Sequence, residues 1–88
     1  KTHRIYLEEF ANATADEIEA FHAKITSNIR RLRKERNITQ MEMAYTIGLG
    51  AVTFYVNAEN CKQGKRFNVE HLYKIAKCLD VDIRELFT

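Results

Sequence analysis

The sequence predicts an all-α domain of five helices carrying an N-terminal extension, and three observations predict it. The 88 residues include no proline and only three glycines, so the strongest helix breaker is missing and a sandwich or barrel full of tight turns is disfavoured. Apolar residues recur at helical spacing, most clearly at Ile18, Phe21, Ile25, Ile29 and Leu32, which traces one stripe along a helix. Polar residues with an acid three positions later, such as Thr14 with Glu17, stand where such stripes begin and mark helix starts. A chain of this length supports one core and is too short for two.

Residues 1–12 carry the weakest signal. Ile5 and Leu7 alternate with Tyr6 and Glu8, the pattern of a short strand that would need a partner chain or a groove to hold it; disorder is the equal alternative. Thr14 and Glu17 then form a capping box that opens a helix running from about residue 15 to 36, with Asn37 as its stop. Thr26–Ser27–Asn28 is a candidate break in that helix, because these side chains compete for backbone hydrogen bonds. Thr39 and Glu42 form a second capping box, opening a helix through Met43, Ala44 and Ile47 that Gly48 ends by adopting positive φ. After Leu49–Gly50 a short helix spans Ala51 to about Asn60. A polar loop follows from Cys61 to Phe67, turning at Gly64. Asn68 caps the next helix, whose stripe is Leu72, Ile75, Ala76 and Leu79, and Asp80 ends it. Asp82 with Glu85 opens a final turn or two through Ile83, Leu86 and Phe87.

Charge divides the chain. Residues 1–27 hold three basic and five acidic residues, a net −2, and residues 28–88 hold eleven basic and seven acidic, a net +4. The basic excess lies in two clusters: Arg30, Arg31, Arg33, Lys34 and Arg36, and Lys62, Lys65 and Arg66. Either cluster alone reads most simply as a solvated surface; two flanking one motif are better evidence of a polyanionic partner. No apolar run approaches the roughly 20 residues of a membrane helix, and no signal peptide is recognisable. A first residue of Lys1 rather than Met is what a fragment would show. Cys61 and Cys78 are too few for the disulfide framework of a small secreted domain. They read as reduced thiols of a cytoplasmic protein, Cys78 in the core and Cys61 exposed.

Two short helices joined through a glycine, set between a basic helix and an amphipathic one, form the pattern of a helix-turn-helix. In that motif the first helix lays its N-terminal N–H groups on a phosphate and the second projects side chains into the major groove. The run from Asn28 to Gln40 (Asn-Ile-Arg-Arg-Leu-Arg-Lys-Glu-Arg-Asn-Ile-Thr-Gln), Ala44 and Gly48, Ala58-Glu59-Asn60 followed by Gly64-Lys65, Leu72 to Val81, and Ile83 to Phe87 resemble the lambda-repressor-like (Xre) family of bacterial regulators. The resemblance covers about two-thirds of the chain. It implies a five-helix domain over 28–88 that binds a double-stranded DNA operator, usually as a homodimer, and leaves 1–27 as an extension that serves as a candidate dimerisation element. The Gly48-to-Glu59 interval is one residue longer than the family pattern, the loop after Asn60 is also longer, and Asp80 stands where the family has glycine.

The recognition helix, around residues 51–60, is expected to turn Phe54 and Ala58 to the core, with Ala51 and Tyr55 on that face or at its edge. Val52, Thr53, Val56 and Asn57 then face outward as base contacts. Between Leu49 and Ala58 there is no Arg, Lys or Gln, so the commonest contact to guanine is missing; Asn57 can pair with adenine, and Thr53 and Val56 can touch thymine methyls. That predicts preference for A·T-containing sites. Asn28, Gln40, Lys62, Lys65 and Arg66 are the candidate phosphate contacts, Gln40 through its resemblance to the family residue at the motif's start.

No catalytic constellation is found. His3, His22 and His71 show no paired spacing, the two cysteines form no C-x-x-C, and Glu70–His71 is not part of an H-E-x-x-H. Ser27 is the only serine and has no evident base. No metal, no cofactor and no enzymatic activity are therefore predicted. The leading expectation is a sequence-specific regulator, a repressor or an antitoxin-type autoregulator with a toxin partner. Its competitor is a protein-interaction module that keeps the fold and reads little DNA.

Overall fold

The computed structural model describes residues 12–88. They form four α-helices, α1 (Ala15–Glu35), α2 (Gln40–Thr46), α3 (Val52–Glu59) and α4 (Val69–Leu79), followed by a 3₁₀ helix (Ile83–Phe87). No strand occurs among the described residues, and the candidate strand at Ile5–Leu7 lies outside them. The expected fifth α-helix is corrected to 3₁₀. The Glu85 N–H donates to the Asp82 carbonyl three residues back, at 2.9 Å, and the Asp82 carboxylate takes the Arg84 N–H. So short a segment gains too few i→i−4 bonds to hold an α-turn, and the tighter helix closes the chain.

α1 opens on the predicted capping box: the Glu17 N–H donates to the Thr14 hydroxyl and the Thr14 N–H to the Glu17 carboxylate. It then runs unbroken through Thr26–Ser27–Asn28. Ser27 is exposed, and the side chains on either side of it are engaged in ways that leave the helix intact. The buried Thr26 hydroxyl donates to the Ala23 carbonyl within its own helix, and the Asn28 amide donates outward, to the carbonyls of Leu86 and Thr88. The predicted box at Thr39 and Glu42 opens α2. Asn68 caps α4, with His71 reciprocating through Nδ1.

All four α-helices end the same way. At each C-terminus one residue takes a left-handed backbone: Asn37 (φ 57°), Gly48 (φ 87°), Cys61 (φ 56°) and Asp80 (φ 58°). The following N–H reaches back five residues to a carbonyl of the helix's last turn: Ile38 to Arg33, Leu49 to Ala44, Lys62 to Asn57 and Val81 to Ala76. This is the Schellman ending, built once on glycine and three times on other residues.

The core lies between the C-terminal part of α1 and the other helices. Ile29, Met43, Ala44, Tyr55, Ile75, Leu79 and Leu86 are wholly buried at its centre. α1 packs along the 3₁₀ helix, α3 and α4, while α2 packs on α3 and α4. Cys78 is half-buried against this core. Cys61 was expected to be exposed; it is half-buried, because its left-handed turn brings Sγ within 3.5 Å of the Thr26 hydroxyl.

Candidate nucleic-acid interface

The α2–turn–α3 unit is held by one buried carboxylate. Glu59, at the C-terminal end of α3, has 0% of its surface exposed. Arg33 of α1 donates to it twice, Nε to Oε2 at 2.9 Å and Nη2 to Oε1 at 3.0 Å, the planar fork-to-carboxylate geometry that lysine cannot reproduce. Gln40, the first residue of α2, donates to Oε1 at 2.8 Å, and the Tyr55 hydroxyl donates to Oε2 at 2.8 Å. Arg33 also donates to the Ile38 carbonyl in the α1–α2 link. Arg30 donates to the Glu59 carbonyl and to Asn60 Oδ1 just beyond α3. Three helices thus converge on one side chain, and no buried side-chain polar atom among the described residues lacks a partner.

The electrostatics follow from that geometry. Burial pushes the Glu59 carboxyl upward, but the hydrogen bonds from Arg33, Gln40 and Tyr55 outweigh it and hold the group below the ordinary carboxylate value. Burial also opposes the charge on Arg33, and the Glu59 carboxylate more than restores it. Burial, and then the neighbouring Glu59 charge, push the Tyr55 phenol far above its usual range, so it stays a neutral donor. Three arginines of the first basic cluster are therefore engaged within the domain, while Arg31 and Lys34 stay exposed. Arg33 and Arg30 serve Glu59, and Arg36 donates to the carbonyls of Leu79 and Leu32, where a cation suits the end of α4. Expected as a solvated or phosphate-facing row, these three arginines instead tie α1 to its neighbours.

On α3, Tyr55 sits deeper than expected, wholly buried, and Phe54 is only half-buried, packed on Phe67 and His71. Ala58 is buried as expected, and Ala51 is exposed. Among the four predicted base contacts, Thr53 is exposed and Val56 and Asn57 are half-exposed on the same face. Val52 is corrected: it packs against the core cluster, because a helix centred on buried Tyr55 and Ala58 turns its first residue partly inward. The outward face of α3 thus brings together Thr53, Val56 and Asn57.

The predicted phosphate contacts are scattered. Lys62 and Lys65 are exposed on the loop after α3; the Lys65 N–H closes a turn onto the Lys62 carbonyl. Arg66 is tied by an ion pair to Glu19 of α1 and donates to the Lys65 carbonyl. Gln40 spends one amide N–H on Glu59, leaving the other at the start of α2. Asn28 does not join the group. Its amide is committed to the C-terminal carbonyls, the reason its expected phosphate role is set aside.

The network that sequence reasoning missed is Arg33–Glu59–Tyr55. A signal for it existed: Tyr55 and Glu59 are one helical turn apart on the face that also carries Ala58, and Arg33 adjoins the Ile29–Leu32 stripe.

Residues 28–88 match a family model described as a Cro/C1-type HTH (helix-turn-helix) DNA-binding domain. No curated protein and no solved structure gave a match.

Proposed function

The chain belongs to the Cro/C1-type helix-turn-helix DNA-binding family, and from that premise we propose that it is a sequence-specific regulator, acting as a repressor on DNA in the bacterial cytoplasm. The observation that carries the reading is the Glu59 network. Three helices spend a bidentate arginine, a glutamine and a tyrosine on fixing α3 relative to the start of α2. Such rigidity is needed where a helix must enter the major groove in one orientation while the preceding helix meets the backbone.

Thr53 and Asn57 supply the polar readout and Val56 an apolar contact, which favours adenine and thymine over guanine. Lys62 and Lys65 meet phosphates beside them. One short helix reads few base pairs, so the regulator works as a two-fold homodimer on two half-sites about one helical turn apart. Residues 1–27 extend the domain of residues 28–88.

Selection from a random duplex library tests this. The expected result is an enriched pair of A·T-containing half-sites, with affinity falling steeply as salt rises. Guanine-dominated half-sites would overturn the assignment of Thr53, Val56 and Asn57. A second reading rests on a specific observation: no Arg, Lys or Gln lies between Leu49 and Ala58. On that reading the domain binds a protein, such as a toxin, and duplex binding is absent even at low salt.

A further inference from the structure

α1 is 21 residues long, yet its buried residues begin only at Ile25. Ile18 and Phe21 continue the same stripe toward the N-terminus and are 48% and 51% exposed. Phe21 stacks on Phe87 with ring centroids 6.0 Å apart and forms one wall of an apolar groove of about 390 Å³. Ile25, Phe67 and Leu72 also line the groove, and Val69, 79% exposed, lines it as well. The DNA-reading face of α3 uses none of these side chains.

We propose that this ridge and groove are the homodimer interface. The N-terminal halves of two α1 helices pair antiparallel across a two-fold axis, and the Ile18–Phe21 ridge of each copy seats in the groove of the other. The proposal rests on the two-half-site reading above and assigns the surface that reading requires.

Two features identify the occupant as a second copy of this chain. A two-fold interface uses one patch on both partners, so that patch must carry both a knob and a hole; here Phe21 belongs to the ridge and to the groove wall at once. The charges are also self-complementary. Glu17 and Lys24 are both exposed and lie two turns apart on the same flank of the stripe. In an antiparallel pair crossing between them, Glu17 of one chain faces Lys24 of its partner, and the axis repeats the pair.

Sedimentation equilibrium of the full chain without DNA tests the interface. The wild-type chain should sediment at twice the monomer mass. Phe21→Asp and Ile18→Asp should each weaken self-association by at least about tenfold, with far-UV circular dichroism unchanged because both side chains are half-exposed. Lys24→Glu and Glu17→Lys chains should each associate poorly alone. An equimolar mixture should recover the dimer, because only the mixed pair sets opposite charges together on both sides of the axis. That comparison cancels any loss of the Thr14 cap in Glu17→Lys.

A monomeric wild-type chain would overturn the proposal, and residues 1–11 of the same chain covering the groove is one way to that result. So would a dimer insensitive to the Phe21 and Ile18 variants, or a charge-swapped mixture no more dimeric than its components. Mass is read without DNA, so the two readings fail separately. A dimer that binds no duplex would refute the regulator and leave the interface standing.

Discussion

Glu59 concentrates much of the domain's polar energetics in one side chain. Removing it leaves Arg33 buried without a counter-charge, and breaking such a pair typically costs about 3–5 kcal/mol. Glu59→Ala should lower stability by that amount in urea denaturation, and Arg33→Met with Glu59→Leu together should cost far less than Glu59→Ala alone. The same residue sets a pH dependence. Its folded pKa lies below the unfolded carboxylate value, so its contribution is fully present above roughly pH 4.3 and is lost as pH falls through the folded value. Thermal melts taken from pH 6 downward should show wild-type stability falling once pH drops below roughly 4.3, and a flatter profile there in Glu59→Gln. Asn57 is the opposite kind of residue. Its side chain makes no hydrogen bond among the described residues, so Asn57→Ala should change stability by no more than about 0.5 kcal/mol. It should relax preference at one base pair by roughly 1–3 kcal/mol, read by competition between duplexes differing at that position. A Tm drop with specificity intact would make Asn57 structural.

Helix starts were legible in the sequence and helix ends only partly so. Thr14, Thr39 and Asn68 advertise themselves because a hydroxyl or amide with a reciprocating side chain three residues on is a local signal, complete within four residues. Asn37, Gly48 and Asp80 are residue types that tolerate a left-handed backbone. Cys61 is not, and nothing near it announced that α3 ends in the same geometry; the conformation is imposed by the bond from the Lys62 N–H to the Asn57 carbonyl, 2.7 Å. A side chain in that region costs roughly 1–2 kcal/mol, less what glycine loses in unfolded-chain entropy. Cys61→Gly should therefore match or exceed wild-type stability by up to about 1 kcal/mol. Cys61→Val, branched at Cβ, should cost about 1–2 kcal/mol, both measured by thermal denaturation. Should valine be tolerated as well as glycine, the backbone at residue 61 is not held left-handed in solution.

At the scale of the molecule, the fold and the family were readable because stripe, cap and turn spacing repeat over the whole of 28–88. The destinations of the basic residues were not, since a cluster in sequence says nothing about which tertiary carboxylate or carbonyl lies opposite. Arg30, Arg33 and Arg36 engage Glu59 and helix-end carbonyls, while Lys62 and Lys65, exposed on the loop directly after α3, are the predicted phosphate contacts that follow Thr53 and Asn57 in the chain. The sequence treated Lys62, Lys65 and Arg66 alike; the structure separates them. Each lysine that meets a phosphate releases about one counterion, so Lys62→Ala and Lys65→Ala should each reduce the slope of log affinity against log salt by about 1. Arg66 is already paired with Glu19, and its charge is largely cancelled before DNA arrives. Arg66→Ala should therefore change the slope by clearly less than either lysine variant. Glu19→Gln, which frees the guanidinium, should strengthen binding at low salt and steepen the slope. Fluorescence anisotropy across a salt series would measure all four variants. Equal slopes for wild type, Lys62→Ala and Lys65→Ala would remove this loop from the DNA-binding surface, whatever Arg66 does.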